Sequence, residues 1–519
     1  MKLKKLIANP YLLIIISAVF SALPLTFSEL YLLSWISFVP LFYVIIKHSC
    51  DKLSLALGRG FLFGFIYYLF IYYWFCWFYP LDYAGLNNAA SIAVVILASV
   101  GISIAHGALW CIPFIVCFIV KKINKNPLFL SFAAILSIMA IQNITSLSEL
   151  SFPWVRISLG QYKATALIQS ASLFGIDGMD FIILAVNALI TIFIISESKK
   201  RIAAVVAAAV IFVSNLGFGL VRLNYTSSDR EFKILTVQAS VPQEDKWSKK
   251  GDEICFDAHY TLTKDNISSD VDLVIWPESA VPVLYDGEEG LIEYEELSKE
   301  LGTQLLVGVL LDVGKNNTNN AVLIGQNGVE ANYAKRQLVP FGEYMPYEKA
   351  ISKVFPFLTK LNIIEDDYIG GNNTVIMQTE NGKLGNIICF ESIYPELCRQ
   401  STLDGAEILI ETTNDSWLKD SPAMTQHLAH GVFRSIENSR YLVRSANSGI
   451  SAVIDARGNI KSSLPIDYQG TLTDTVYFSD ETTLYTKTGD ILFPICCTCF
   501  VIISIVLFVI KIKNKKSAK

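Results

Sequence analysis

Uninterrupted apolar runs dominate the first 220 positions of the chain and return once near its end. Runs that approach the roughly 20 residues needed to cross hydrocarbon lie at 10–27, 30–46, 60–79, 91–120, 127–146, 179–196, 202–220 and 489–510. They predict seven membrane spans, a long polar region and one last span. A shorter apolar run at 164–176 is too short to cross and is expected to lie along the outer interface or to re-enter. The "SFPW" beside it, 151–154, would put Trp154 at headgroup depth.

Between 222 and 488 the pattern changes to short apolar stretches separated by turns. Strands are predicted at 232–238, 271–276, 303–311, 319–326, 374–379, 383–389, 406–412, 440–447 and 450–455. Helix-period segments fall among them at 252–265, near 294–301, and at 423–439, which defines an α/β domain. The stretch 336–372 fits neither pattern. It is rich in aromatics and Pro, and its Phe355, Phe357 and Leu358 would be wasted in water, so it reads as a lid or membrane-facing arm, or as an Ω-loop packed on its own domain.

Composition agrees with a membrane protein, since 52% of the 519 residues are hydrophobic and only 17% are charged. The position of the charges orients the spans. With the N-terminus in the cytoplasm, the cytoplasmic segments hold Lys2, Lys4, Lys5, Lys47, Lys52, Arg59, Lys121, Lys122, Lys125, Lys199, Lys200, Arg201 and the basic tail from Lys511 onward. The opposite short loops hold only Arg156 and Lys163, as the positive-inside rule requires. Three regions follow: a seven-span membrane domain, 1–221; an extracytoplasmic domain, 222–488; and a C-terminal span with a cytoplasmic tail, 489–519. The first apolar run lacks a small-residue cleavage site and leads straight into another span, so it is expected to stay attached.

The extracytoplasmic region carries far more Asp and Glu than Lys and Arg, which repels phosphate polymers and excludes nucleic acid as a partner. Of ten cysteines, only Cys255, Cys389 and Cys398 lie in this region. An odd number leaves at least one thiol unpaired, and no CxxC pair points to zinc or redox work.

Three strand ends offer reactive groups: Glu278 in "VIWPES", Lys335 and Glu343 in "YAKRQLVPFGEY", and Cys389 and Glu391 in "NIICFES". Polar residues that emerge where apolar strands finish can converge on one rim of a sheet. Singly, each charged group reads as a solvated surface residue, and Cys389 as a buried structural cysteine.

Together, the order Glu, Lys, Cys in the contexts "WPES", "AKRQLVPFGEYMP" and "CFES" resembles the nitrilase, or carbon–nitrogen hydrolase, superfamily. With the flanking spans, and with "SFPW", "VQASVPQEDKW", "NDSW" and "RSANSGISAVIDARG", the whole chain resembles the bacterial apolipoprotein N-acyltransferase family. The resemblance implies a nitrilase-like α-β-β-α sandwich and a triad in which Glu278 is the general base, Lys335 the oxyanion stabiliser and Cys389 the nucleophile. Glu343 and Glu391 match two further acidic positions, Trp247 matches an aromatic position implicated in substrate handling, and Phe390 stands where Tyr is common. The implied reaction moves an acyl chain from a phospholipid, through a Cys thioester, to the α-amino group of a diacylglyceryl-modified apolipoprotein, with neither metal nor other cofactor, at the bacterial inner membrane.

A membrane-tethered amidase or nitrilase hydrolysing a C–N bond would need one span rather than eight. A transporter or lipid-binding scaffold would be expected to carry more ionisable groups in its spans; His106 in the fourth span marks either a polar pathway or a packed helix interface. His427 and His430, three apart on a predicted helix, raise a Cys–His hydrolase or metal site, but no third ligand has suitable spacing. Without such a site, substitution of His427 is expected to leave acyl-enzyme formation intact, while Glu278→Ala abolishes it.

Overall fold

The structure is a computed structural model that describes residues 9–48, 52–81, 85–224, 229–314, 316–354 and 368–517. Among the described residues, seven helical segments are long and apolar enough to cross a membrane: Ser28–Lys47, Leu53–Phe78, Asn88–Val120, Pro127–Ile144, Ala171–Ile195, Lys199–Leu223 and Leu492–Ile512. The first apolar run forms a 17-residue helix, Pro10–Thr26, which falls short of that length. Side chains that point away from the bundle are apolar at helical spacing, as in Ile202, Val206, Val210 and Val213, a face suited to lipid. The run at 164–176 becomes one helical turn, Thr165–Ile168, and the start of Ala171–Ile195, which is interrupted at Gly175. Gly175 has φ +67° and a Cβ there would lie 2.6 Å from the Tyr485 ring, so only glycine fits.

The polar half is built on two sheets. The first has the order β13-β1-β2-β4-β5-β6, with β3 also paired to β4, and the second the order β12-β11-β10-β9-β8-β7. The strands are β1 Glu231–Gln238, β2 Leu273–Ile275, β3 Leu284–Asp286, β4 Gln304–Asp312, β5 Asn317–Gly325, β6 Gly328–Ala334, β7 Ile376–Gln378, β8 Lys383–Ile388, β9 Ile408–Thr413, β10 Leu442–Ala446, β11 Ala452–Ile454, β12 Ile460–Ser463 and β13 Gly470–Tyr477. The neighbours β1–β2–β4 and β8–β9–β10 run parallel.

Period-two alternation puts the two sheets face to face. Ile234, Leu273, Ile275 and Leu306 of the first sheet share a core with Ile388, Ile408, Ile410 and Val443 of the second. The alternate residues Leu235, Val274, Leu305 and Val307 turn outward beneath the helices Gly251–Asn266 and Ile292–Leu301. On the far side, Ile387, Leu409 and Leu442 turn toward Pro395–Leu403 and Pro422–Asn438. The result is an α-β-β-α sandwich, and the hydrophobic core of this last layer is continuous with that of the membrane helices.

Polar contacts stitch the two halves together. Ser151 Oγ lies 2.8 Å from the Tyr394 hydroxyl, Trp154 Nε1 donates to Gln426 Oε1 at 2.7 Å, and the Ile176 N–H donates to Glu437 at 2.9 Å. Trp154 is 4% exposed and stacked on Phe152, so its side chain is a packing element between the halves rather than the open interfacial anchor that "SFPW" led us to expect. His106 packs at a helix interface against Tyr68, with its Nδ1 2.9 Å from the Tyr72 hydroxyl. The described part of the 336–372 stretch docks on the loop before Ser151, where the Tyr344 hydroxyl donates to the Glu149 carbonyl at 2.6 Å. Phe355, Phe357 and Leu358 lie outside the described residues.

Candidate active site

Glu278 follows β2, where Pro277 removes a ladder donor and Ser279 takes φ +48°. The turn lies against β4 so closely that a Cβ at Gly308 would sit 2.3 Å from the Pro277 carbonyl oxygen. Lys335 follows β6, and its N–H donates to the Asn319 carbonyl of β5 at 2.8 Å. Cys389 follows β8 and opens a 3₁₀ turn, Cys389–Ile393, with φ +51°. A left-handed conformation at a non-glycine residue costs energy and recurs where a side chain must be held clear of its strand.

The structure brings these three strand ends to one place. Lys335 Nζ donates to Glu278 Oε1 at 2.9 Å and to Glu343 Oε1 at 2.8 Å, and it is 1% exposed. Asn319 Nδ2 bridges the same two carboxylates at 2.8 and 2.9 Å. The other Glu278 oxygen takes the Asn414 N–H at 2.8 Å, and the other Glu343 oxygen takes the Val339 N–H at 2.8 Å. Every carboxylate oxygen is therefore held by a donor, which fixes both acids without consuming the ammonium.

Burial works against the charge on Lys335, but Glu278 and Glu343, together with Cys389, outweigh it and hold the ammonium well above its ordinary pKa. Cys389 is half-buried. Burial, then the neighbouring Glu278 carboxylate, push its pKa well up, opposed by Lys335, so the resting sulfur is a thiol that needs a base before it can attack.

Glu391 does not face this cluster. It is buried within the nucleophile turn, where it takes the N–H of Ile388 at 2.7 Å, of Arg336 at 2.6 Å and of Gln337 at 3.1 Å, and the Tyr333 hydroxyl at 2.8 Å. It ties the strand end of Cys389 to that of Lys335. Burial raises its pKa, and those donors oppose the rise. Phe390 is 3% exposed and stacks on Phe152 at 5.7 Å, joining the nucleophile turn to the membrane half. Trp247 is 52% exposed, with Nε1 donating to Gln243 at 2.6 Å. Cys255 and Cys398 are buried free thiols.

A second set of groups stands near Cys389, of which the sequence had singled out only His427. His427 Nε2 lies 3.1 Å from the Cys389 carbonyl oxygen, and Nδ1 lies 2.8 Å from Asp415 Oδ1. Ligand atoms of Cys389, Asp415 and His427 fall within 4.8 Å of one another, so Asp415 is the third polar partner that spacing did not reveal. Arg444 binds the same Asp415 carboxylate and also Glu411, with its guanidinium 3.0 Å from His427 Nδ1. Arg444 thus supplies a positive charge to this carboxylate from within the chain. Burial opposes ionisation of Asp415, but Arg444 and His427 outweigh it and hold the carboxyl well below its usual range. "NDSW" begins one residue past β9, and its Asp was the available signal.

A Glu, a Lys and a Cys on converging strand ends of an α-β-β-α sandwich define a class. Residues 220–484 match the carbon-nitrogen hydrolase family, and the chain belongs to it. Residues 17–189 match the apolipoprotein N-acyltransferase N-terminal domain, so the resemblance read from the sequence holds in both halves. The chain is 28% identical to the apolipoprotein N-acyltransferase of Geobacter metallireducens over 96% of its own length and 95% of that protein's. It is likewise 28% identical to the proteins of the same name from Thermotoga maritima, over 84% of this chain and 81% of that one, and from Rickettsia bellii, over 84% and 86%.

Proposed function

We propose that this chain is an apolipoprotein N-acyltransferase that works through a thioester on Cys389, with Glu278 as general base and Lys335 as oxyanion stabiliser. The observation that carries the reading is the buried Lys335 ammonium, held by Glu278 and Glu343 beside the half-buried Cys389 thiol. The names of the relatives that span nearly the whole chain support transfer to a lipoprotein over hydrolysis of a C–N bond.

Glu278 takes the thiol proton as sulfur attacks the ester carbonyl of a phospholipid. The C–O bond then breaks, the leaving alkoxide takes the proton from Glu278, and a lysophospholipid departs. Negative charge on the carbonyl oxygen is stabilised by Lys335 and the Phe390 N–H. The α-amino group of a diacylglyceryl cysteine next attacks the thioester and gives its proton to Glu278. The C–S bond breaks, an amide forms and the thiol is restored. A thioester is a better acyl donor than the oxygen ester before it, and the amide is more stable than either, so the sequence runs downhill without ATP. Water is the competitor, and closeness to the bilayer excludes it. Glu343 aims Lys335, Glu391 braces the nucleophile turn, and Trp247 meets substrate at the rim.

The asymmetry of the basic residues supports an arrangement with both termini in the cytoplasm and a domain 222–488 on the outer face of the bacterial inner membrane, between a membrane domain 1–221 and a C-terminal segment 489–519. Intact-mass spectrometry after incubation with phospholipid tests the proposal. The expected result is an acyl adduct on Cys389 that a diacylated lipopeptide removes and buffer does not, with no adduct in Glu278→Gln. An adduct lost equally fast to buffer identifies a hydrolase and overturns it.

A further inference from the structure

The nucleophile turn is gripped from two sides, and the second grip has no role in the steps above. Glu391 holds the N–H of Ile388, ahead of Cys389. His427 holds the carbonyl that follows, at 3.1 Å. A trans peptide is planar, and its C=O and N–H point in opposite directions. The peptide whose carbonyl meets His427 is the one whose N–H belongs to Phe390. This N–H lies in the first turn of the Cys389–Ile393 helix, where no acceptor within the helix exists for it. Fixing the carbonyl on one side therefore aims the N–H to the other.

The imidazole is itself fixed. Asp415 Oδ1 faces Nδ1 at 2.8 Å and also takes the Thr413 hydroxyl at 3.0 Å. Arg444 clamps Asp415 and Glu411, and Glu411 Oε1 lies 3.5 Å from Nε2. The Trp154 ring lies 5.5 Å from the imidazole, and His427, Asp415, Glu411 and Arg444 are each no more than 2% exposed. A donor on a carbonyl polarises the peptide toward a stronger N–H donor.

We propose that His427, oriented by Asp415 and Arg444, is a positioning residue that aims and polarises the Phe390 N–H toward the oxyanion formed when Cys389 attacks an ester. The inference rests on Cys389 being the nucleophile of the proposed reaction, and it reverses the expectation that His427 is dispensable for acyl-enzyme formation.

The test uses the full detergent-solubilised chain and two probes of Cys389. p-Nitrophenyl butyrate acylates the thiol through an oxyanion and releases a burst of nitrophenolate. Iodoacetamide alkylates it by displacement at carbon, with no oxyanion. His427→Ala is expected to slow the burst about 100-fold, the cost of losing one oxyanion donor, while alkylation stays within twofold. His427→Gln, whose amide can still donate to the carbonyl, is expected to recover at least tenfold of that loss. A burst within threefold of wild type in His427→Ala overturns the proposal, and so does an equal fall in burst and alkylation, which marks collapse of the turn. Should His427→Ala fail to fold, Asp415→Asn decides. It is expected to slow the burst at least tenfold with alkylation unchanged, and a burst within threefold overturns the proposal. Wild type that bursts with the ester but takes no acyl group from phospholipid defeats the proposed function and leaves this inference standing. Wild type without a burst defeats both.

Discussion

The two helical layers of the sandwich cover equivalent sheet faces and have opposite fates. The Gly251–Asn266 helix buries one stripe, Gly251, Cys255, His259 and Thr263, four residues apart, and gives the rest to solvent. In the Pro422–Asn438 helix every residue except Pro422 and Thr425 is buried, including Gln426, His427, His430, Arg434 and Glu437. The difference comes from what lies outside each layer: water on one side, the membrane helices on the other. A polar residue on the first helix needs no partner, whereas each one on the second must find one within the protein. The second layer is thereby a joint between the membrane and the reactive turn.

The largest effect should come from breaking that joint. Arg434 and Glu437 pair at 2.9 Å with neither exposed, and Arg434→Met leaves a buried acid without its cation, at a cost of about 3–5 kcal/mol. The apparent unfolding temperature should fall by roughly 10 °C. Gly308→Ala should act on function before stability, since its Cβ would displace the Glu278 turn. A misplacement of this kind lowers the acylation rate roughly 100-fold, which single-turnover mass spectrometry would read. Trp154→Phe keeps the ring stack and removes the bond to Gln426, worth about 1 kcal/mol, and should lower the unfolding temperature by a few degrees.

On the solvent side the effects should shrink. Lys246 is buried beneath the Glu278 turn and donates to the Ser279 carbonyl at 2.5 Å. Burial depresses its pKa to about 8, with Cys255 and Glu278 opposing. The folded chain then binds fewer protons than the unfolded one between pH 8 and the unfolded lysine value of about 10.4, so stability from this group rises with pH across that window. Wild type should gain unfolding temperature relative to Lys246→Met as pH is raised from 7.5 to 10. The surface pair Lys264–Glu300 on the outer layer is worth little, and Lys264→Ala should leave activity unchanged and the unfolding temperature within about a degree. A large shift there would mean that the two layers do not differ as described.

Legibility followed the same division. The strands ahead of Glu278 and Cys389 were readable because buried strands are continuous apolar runs. β6, "GVEANYA", had no bounds in the pattern, although Lys335 was expected at a strand end, because half-buried residues of mixed polarity give no period. β12 and β13 escaped for the same reason, being largely exposed or half-buried. Glu278, Lys335, Glu343 and Cys389 were recognisable by motif. His427 and Asp415 stood 12 residues apart with no spacing that linked them, and only the packing of Pro422–Asn438 behind the nucleophile turn brings them together.

By itself the sequence determined the apolar spans, the asymmetry of basic residues, the short apolar runs that become buried strands, and the reactive residue types at strand ends. These depend on local composition and period, which the chain carries whether or not it is folded. Tertiary structure decided which charges are paired, that Glu391 braces a turn rather than joining the Lys335 cluster, that Trp154 is packing rather than anchor, and that an imidazole stands behind the nucleophile. Contacts between residues hundreds of positions apart leave no period in the chain. They exist only once burial has removed water and obliged each polar group to find a partner.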